Sequence, residues 1–336
     1  MDDNPLVAIG LPVSLFIIMV GMGLSLGAKD FRRIAEQPRG VAVGTLVQLL
    51  LIPLLGFGLG WLSGGGMLAV GVVLVAVLPG GTTSNLLCFL GKANLALSIT
   101  LTVTASLITS VTVPLYLDLA LELFVDETSV TAANVQVESE SNQEVETIAA
   151  SDGPAPVAHT ASPEIKVDFV ETLMTMLIIV VVPVILGMIV NAVAPAFAKK
   201  MEPIIGLFSL LVLLLIIALI VWTERDNLPS IIAMVWKPTL ALNVLSIFVG
   251  LAAGRLSGLS PKDTVTVAIE ASIKNTTLGL TIALSVLRNN ELAMPAAAFG
   301  LLMYASVALL TMYSRTLADT ETASVGTDDP PAAASA

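Results

Sequence analysis

The sequence predicts an all-α polytopic membrane protein with nine transmembrane helices. Hydrophobic residues make up 56% of the 336-residue chain, and charged residues make up only 12%. A helix that crosses a hydrocarbon layer of about 30 Å needs about 20 predominantly apolar residues, and the chain contains a series of apolar runs near that length. The predicted spans are 6–28, 40–62, 67–90, 95–124, 169–197, 203–223, 239–257, 262–287 and 294–316.

The spans fall into two halves, 1–124 and 169–316, separated by an acidic segment. Residues 125–168 contain nine Asp or Glu and one basic residue, with few bulky apolar side chains. Such a composition cannot bury enough apolar surface to fold alone. We therefore expect a disordered acidic loop at 125–168 and a disordered tail at 317–336. The net charge of −11 describes these two segments rather than a ligand site.

The basic residues predict the orientation, because cytoplasmic loops accumulate Lys and Arg. With the N-terminus outside, ten of the 15 basic residues lie near inner helix ends, four lie near outer ends, and Lys274 lies within the membrane. The N-terminus is thus expected outside, the loop extracytoplasmic and the C-terminal tail cytoplasmic. No basic segment precedes the first apolar run, so we expect that run to stay in the mature protein. These features fit a bacterial inner membrane.

The chemistry of enzymes and metalloproteins is poorly supported by the composition. Cys88 and His159 are the single cysteine and histidine, which excludes a disulfide framework and leaves no ligand set for zinc or haem. His159 lies in the acidic loop, away from any nucleophile that it could activate. We therefore expect that the chain is not an enzyme and that it has no nucleic-acid or protein partner. The lipid bilayer is the partner that the composition predicts.

Two spans carry motifs that should interrupt a membrane helix. The third contains Pro-Gly-Gly-Thr-Thr-Ser-Asn at 79–85, and the eighth contains Glu-Ala-Ser-Ile-Lys-Asn-Thr-Thr at 270–277. Proline removes a backbone donor and glycine relaxes the helix. If the first half has lost one N-terminal span, the two interrupted spans occupy equivalent places in inverted halves, a pattern that marks the central site of a transporter.

Glu270 and Lys274 are the candidate functional pair, because both lie deep within the eighth span. An ionisable group at that depth costs about 2.5–3.5 kcal/mol for insertion and is a functional-site hypothesis by default. Small oxygen ligands plus one carboxylate can replace the water shell of Na⁺. The candidates of that kind are Ser84, Asn85, Ser98, Thr102 and Glu270. For a single hydroxyl the alternative is a hydrogen bond to its own helix backbone.

Several motifs, taken in order, resemble the bile acid:sodium symporter family. They are the segments 21–26, 30–31, 48–53, 79–85, 94–102 and 270–275, with a proline at 38. The resemblance covers nearly all of residues 6–316 apart from the acidic insert. It implies a core of spans two to four and seven to nine that moves against a smaller panel of spans one, five and six. It also implies that the two broken helices cross in the core.

The resemblance assigns roles to particular residues. It implies a first sodium site made by the residues Ser84, Asn85, Ser98, Thr102 and Glu270, and a substrate site at Thr82 and Asn275. Helix N-termini favour anions, so we add Thr83 and Thr276 to the substrate-binding residues.

The second sodium site is where the sequence departs from the family pattern. The resemblance implies that this site uses Gln48, Glu270 and a second glutamine, but position 274 is Lys. An ammonium group would repel Na⁺ there. Three roles are open for Lys274: a tethered cation that replaces the second ion, a group that loses its proton on desolvation and carries protons through the cycle, or a side chain that snorkels or pairs with Glu270 only for stability.

These observations predict a secondary active transporter of a small organic anion, coupled to sodium at one site, with Lys274 in place of the second ion. One alternative is the same fold working as a proton-coupled transporter or a uniporter. Another is a small-molecule sensor in which the loop or the tail signals.

Overall fold

The computed structural model describes residues 10–24, 38–125, 174, 177–223, 225 and 228–325. The predicted acidic loop therefore lies, beyond Val125, outside the described residues. The described chain consists of helices joined by short turns, and it contains no strand within these ranges.

The helices are numbered here in chain order. They are α1 (Gly10–Leu24), α2 (Pro38–Leu62), α3 (Gly66–Val77), α4 (Thr82–Leu90), α5 (Leu95–Phe124), α6 (Val182–Val193), α7 (Pro195–Thr223), α8 (Leu228–Leu256), α9 (Pro261–Ser272), α10 (Thr276–Thr281) and α11 (Asn290–Val325). Three π-helical turns, Val47–Leu51 within α2, Leu177–Val181 before α6 and Ile282–Val286 after α10, complete the description.

Five helices of the described part are long and apolar enough to cross a membrane. They contain the segments Pro38–Leu62, Leu95–Phe124, Pro195–Leu219, Ile232–Leu256 and Asn290–Thr316. Shorter apolar helices occur at Pro12–Leu24, Gly66–Val77 and Ile178–Val193. The described part of the chain is thus all-helical, and its long apolar helices are those of a polytopic membrane protein.

The chain leaves the helical conformation at two places, and these two places touch. Leu78 is extended, with φ −61° and ψ 146°, because the residue before a proline is disfavoured in the α conformation. Ile273, which follows α9, is also extended, with φ −98° and ψ 126°. The amide N–H of Asn275 donates to the carbonyl oxygen of Pro79 at 2.9 Å. This bond joins the break between α3 and α4 to the break between α9 and α10.

Close helix packing surrounds these breaks. Helix α3 is buried along residues 69–77 and packs against α2, α5 and α11. A Cβ atom added at Gly71 would lie 2.8 Å from Cγ of Pro295 in α11. Helix α9 is buried from Thr264 to Ser272 and packs most extensively against α8. The absence of a side chain at Gly71 lets the helix backbones approach closely, as small residues commonly do in membranes.

A second group of helices consists of α1, α6 and α7. Helix α1 packs against both α6 and α7. A Cβ atom added at Gly23 would clash with the carbonyl oxygen of Val184, and one added at Gly187 would clash with that of Val20. The two glycines therefore set the close contact between α1 and α6.

The last helix continues to the end of the described chain. Helix α11 extends to Val325, and it therefore includes the first residues of the segment expected to form a tail from 317. Residues 317–325 contain neither Pro nor Gly, the two residues that disfavour a helix most strongly.

Candidate functional site

The carboxylate of Glu270 lies at the centre of a cluster of hydroxyl groups. Glu270 is 0% exposed, and its Oε1 accepts hydrogen bonds from Ser84 Oγ at 2.6 Å and Ser98 Oγ at 2.5 Å. Its Oε2 accepts from Thr102 Oγ1 at 3.0 Å. A Cβ atom added at Gly80 would lie 2.7 Å from Oε2, so the glycine lets the broken helix approach the carboxylate.

Ser98 and Thr102 differ from the other hydroxyl residues of α5 in their hydrogen-bond partners. Five others on this helix donate to the carbonyl oxygen four residues earlier, as isolated hydroxyls in membrane helices often do. They are Thr100, Thr104, Ser106, Thr109 and Ser110. Ser98 and Thr102 instead contact Glu270, 172 and 168 residues away in the chain. The helix thus contributes one face to the cluster.

The two serine hydroxyls of the cluster have more acceptor oxygens within hydrogen-bond distance than they have protons to donate. Ser84 Oγ lies 2.7 Å from the carbonyl oxygen of Gly81 and 2.6 Å from Glu270 Oε1. Ser98 Oγ lies 2.8 Å from Asn85 Oδ1 and 2.5 Å from the same Oε1. A hydroxyl carries one proton, and neither a carbonyl nor a carboxylate oxygen supplies another. Turning the Asn85 amide over would supply a proton at Ser98 but not at Ser84.

The ends of α5 and α9 are joined one to two helical turns from this cluster. Asn94 Nδ2 donates to Asp263 Oδ1 at 2.7 Å, and the backbone N–H of Asn94 donates to Thr266 Oγ1 at 2.9 Å. Asn94 Oδ1 also caps α5 by accepting from the N–H of Leu97 at 3.1 Å. These bonds fix the register of α5 against α9, and therefore of Ser98 against Glu270.

Lys274 is buried beside the cluster and contacts a helix end. It is 1% exposed, so its ammonium does not reach bulk water. Its Nζ donates to the carbonyl oxygen of Leu78 at 3.0 Å, at the C-terminal end of α3, where the helix dipole is negative. Lys274 interacts electrostatically with Glu270, but the two form no direct ion pair in the described part of the chain.

The C-terminal end of α9 has a comparable neutral partner. Asn243 Nδ2 of α8 donates to the carbonyl oxygen of Ser272 at 3.3 Å, and the hydroxyl of Ser306 donates to Asn243 Oδ1. Both broken helices thus end on a buried side-chain donor, an ammonium at α3 and an amide at α9. Such donors satisfy carbonyl groups that lack helical partners.

Gln48 forms no hydrogen bond with Glu270 or Lys274, the other two residues expected at the second ion site, in the described part of the chain. It lies in the π-helical turn of α2 and is 2% exposed, and neither amide atom has a hydrogen-bond partner among the described residues. The grouping of Gln48 with Glu270 and Lys274 in an altered second ion site therefore stays a prediction. The π-helical turn itself has no clear signal in the sequence.

A small cavity lies where the two breaks meet. Its lining includes Thr83, Lys274, Asn275 and Thr276, together with Gly81 and Thr277. With ≈ 20 Å³, it has room for little more than one water molecule. Asn275 Nδ2 and Thr276 Oγ1 are buried without a hydrogen-bond partner in the described part of the chain, and Asn275 Oδ1 caps α10 by accepting from the N–H of Leu278 at 3.1 Å.

Three of the four predicted substrate residues lie together at this cavity. Thr83, Asn275 and Thr276 line the cavity. Thr82 begins α4, but its side chain is outside the description.

The sequence analysis missed two polar residues that line the same cavity, Ser209 of α7 and Tyr304 of α11. Ser209 is the single hydroxyl between Pro203 and Thr223, and that isolation is a signal that could have identified it. Tyr304 has no comparable signal, because its neighbours Ser306 and Thr311 are also polar.

Comparisons with known proteins agree with this architecture. The chain is 28% identical over 304 residues to the uncharacterized sodium-dependent transporter YocS of Bacillus subtilis, a match that covers 90% of this chain and 82% of that protein. It is 27% identical over 273 residues to the human ileal sodium/bile acid cotransporter, covering 81% of this chain and 68% of the relative.

A plant relative is longer than this chain. The probable sodium/metabolite cotransporter BASS2 of rice chloroplasts is 26% identical over 286 residues, which cover 85% of this chain and 59% of that protein.

A family model described as the sodium bile acid symporter family matches residues 12–142 and 155–231, more than half of the chain. Its members are sodium-coupled transporters rather than enzymes. The chain belongs to the sodium bile acid symporter family.

Proposed function

We propose that this protein is a secondary active transporter that imports a small organic anion together with one sodium ion. The relatives are named as sodium-dependent transporters and cotransporters of bile acids or metabolites, which supports sodium-coupled transport in general. The observation that carries the proposal for this chain is the convergence of three hydroxyl groups on the buried carboxylate of Glu270.

The oxygen cluster fits a sodium ion by its chemistry. Hard cations are bound by carboxylate, carbonyl and hydroxyl oxygens. Ser84, Asn85, Ser98, Thr102 and Glu270 supply these types. A cation bound by these oxygens would hold some of the close oxygen pairs together without a hydrogen bond. Each of the two serine hydroxyls would then need to donate to only one acceptor. The ion would also compensate the charge of the carboxylate.

A proton on Glu270 would supply the missing donor as well, and this makes proton coupling the second candidate. A protonated carboxyl could donate to Ser84, which in turn donates to the carbonyl oxygen of Gly81 at 2.7 Å. Transport that depends on pH and ignores sodium would establish this alternative.

In this proposal Lys274 takes the place of a second sodium ion. A half-helix C-terminus presents carbonyl oxygens to cations, and the Lys274 ammonium already occupies that position at Leu78. Its burial argues against the snorkelling role. A tethered cation there would compensate Glu270 in every state of the transport cycle.

The substrate anion would bind where α4 and α10 begin. Helix N-termini favour anions, and the unpartnered Asn275 Nδ2 and Thr276 Oγ1 offer buried groups for hydrogen bonds. Thr82 and Thr83 belong to the first turn of α4. Because the cavity has ≈ 20 Å³, an organic anion requires a conformation in which the cavity is wider.

The helix packing suggests which parts would move. In this proposal the nine predicted spans form a core, α2–α5 with α8–α11, and a panel, α1 with α6 and α7. The extensive contacts of α1 with α6 and α7 support the panel. Ser209 of the panel and Asn275 of the core line the same cavity, so a sliding panel would open it to one side and then the other. We place the N-terminus outside and the C-terminus inside a bacterial inner membrane.

Uptake into liposomes tests the proposal. The purified protein is reconstituted, and a panel of labelled monovalent carboxylates, from lactate to cholate, is offered under an inward Na⁺ gradient or an equal K⁺ gradient. We expect at least one anion to accumulate only with Na⁺, and Glu270→Gln to abolish this accumulation. Accumulation driven by a pH gradient would favour proton coupling. Binding without accumulation would favour a sensor.

A further inference from the structure

The buried charges in the described part of the chain cancel. Among the described residues, Glu270 and Lys274 are the two buried side chains of the Asp, Glu, Lys and Arg types, at 0% and 1% exposure. One carries a negative charge and the other a positive charge. Their sum is zero, and it stays zero if a proton passes from the ammonium to the carboxylate.

We propose that Lys274, by taking the place of a second sodium ion, makes the transport cycle of a monovalent anion electroneutral. This inference rests on the proposed function, in which one Na⁺ accompanies each substrate. The empty protein carries no net charge in its buried site. The loaded protein adds one positive charge from Na⁺ and one negative charge from the substrate, so its net charge is again zero.

The two charges are held in one structural unit. Lys274 follows α9, which carries Glu270, by two residues. The segment that carries Lys274 is tied to the α3–α4 break by two bonds, Lys274 Nζ to the carbonyl oxygen of Leu78 at 3.0 Å and the N–H of Asn275 to that of Pro79 at 2.9 Å. The two side chains therefore change position together when the core moves, and no separated charge crosses the membrane.

The position of Lys274 also explains why the anion is part of the charge balance. Lys274 lines the same cavity as Asn275 and Thr276. A monovalent anion bound there lies near the ammonium, while Na⁺ lies at the carboxylate. A neutral substrate would leave the loaded protein with one positive charge, and a divalent anion would leave it with one negative charge. Both would make reorientation depend on the membrane potential.

The consequence for energetics is large. Moving one elementary charge through 100 mV changes an equilibrium ratio about 50-fold. A transporter that carries two sodium ions with a monovalent anion would gain this factor from an inside-negative potential. Electroneutral transport gains nothing from it, and the sodium gradient alone sets the accumulation.

Liposomes with a clamped potential test the inference. Internal K⁺ with valinomycin sets the potential to zero or to an inside-negative value of about 100 mV, while the sodium gradient is held constant. The probe is the labelled monovalent carboxylate whose uptake requires Na⁺, and ²²Na⁺ uptake is measured in parallel. We expect the steady accumulation to agree within about 2-fold at the two potentials. If sodium-dependent accumulation is about 50-fold higher at the inside-negative potential than at zero potential, the inference is overturned and the proposed function stays intact.

Two variants show whether Lys274 is responsible. Lys274→Gln leaves one net negative charge in the empty site, so its initial uptake rate should change several-fold between the two potentials. Lys274→Arg keeps the charge and should remain insensitive to the potential. A Lys274→Gln rate as insensitive as that of the natural protein would contradict the assignment. Uptake that ignores sodium in the natural protein would instead contradict the proposed function.

Discussion

Lys274 Nζ donates a hydrogen bond of 3.0 Å to the carbonyl oxygen of Leu78, and this bond connects the two interrupted helices through a charge. Leu78 follows the last residue of α3 and is extended because Pro79 comes next. Its carbonyl oxygen therefore lacks a helical partner. The ammonium satisfies that oxygen at the negative end of the helix dipole, which is a position suited to a cation.

Removal of one hydroxyl from the cluster should weaken sodium binding. In Ser98→Ala, Glu270 loses the hydroxyl that lies 2.5 Å from its Oε1. A hydrogen bond to a charged group contributes about 1.5–3 kcal/mol, so we expect the apparent sodium affinity to fall at least about 10-fold. The measurement is the Na⁺ concentration that gives half-maximal thermal stabilisation of the purified protein.

The matched control is Ser110→Ala on the same helix. Ser110 is also buried, but its hydroxyl donates to the carbonyl oxygen of Ser106 within the helix. Its removal should leave the sodium dependence unchanged. An equal effect of both substitutions would show that Ser98 acts through helix stability and not through the ion.

Neutralising either buried charge alone should destabilise the protein more than neutralising both. Glu270→Gln leaves the Lys274 ammonium uncompensated, and Lys274→Met leaves the carboxylate uncompensated. Breaking a buried charge pair by removing one partner costs about 3–5 kcal/mol. Since the two groups form no direct ion pair, we expect a coupling free energy of about 0.5–3 kcal/mol in the double-variant cycle. Unfolding of the four proteins in mixed micelles measures it, and additive effects would contradict electrostatic coupling.

A side chain at the contact between α3 and α11 should destabilise the fold. In Gly71→Ala the new Cβ would lie 2.8 Å from Pro295 Cγ and 3.0 Å from the carbonyl oxygen of Leu292. We expect a loss of about 1–3 kcal/mol in the free energy of unfolding, as for other overpacked contacts. Gly58→Ala is the control, because nothing lies within 4 Å of its added Cβ; it should be neutral or slightly stabilising. Equal unfolding transitions in the two variants would refute this packing.

Replacing the amide of Asn275 should affect the anion and spare sodium binding. Asn275→Asp keeps the oxygen that caps α10 but replaces the unpartnered Nδ2 by a negatively charged oxygen. Repulsion of an anion should raise the KM for uptake at least about 10-fold, consistent with the loss of one charge-assisted hydrogen bond. The sodium-induced thermal stabilisation should persist. If the variant loses both uptake and the sodium-induced thermal stabilisation, Asn275 supports the ion site or the fold and not the binding of the anion.

The sequence predicted the interrupted helices because the breaks depend on local chemistry. Pro79 and the glycines after it disfavour a helix wherever they stand. Ser98 and Thr102 share a helix face because they are four residues apart. Their placement against a carboxylate 168 or more residues away came from the family resemblance.

Contacts that depend on the rotation and depth of separate helices could not be predicted. The partner of Lys274 is a backbone oxygen of Leu78, and no property of the leucine side chain indicates this. Gln48 lies in a π-helical turn, and its amide has no hydrogen-bond partner among the described residues. Ser209 faces the cavity only through the packing of α7 beside the core.

The number of sodium ions bound per protein tests the role of Lys274 most directly. Binding of ²²Na⁺ to the purified protein, titrated to saturation, should give one ion per chain and a Hill coefficient of one. Lys274→Gln replaces the ammonium with a neutral amide, and this variant should bind two ions with a Hill coefficient above one. Two ions in the natural protein, or still one in Lys274→Gln, would contradict the conclusion that the Lys274 ammonium takes the place of the second ion.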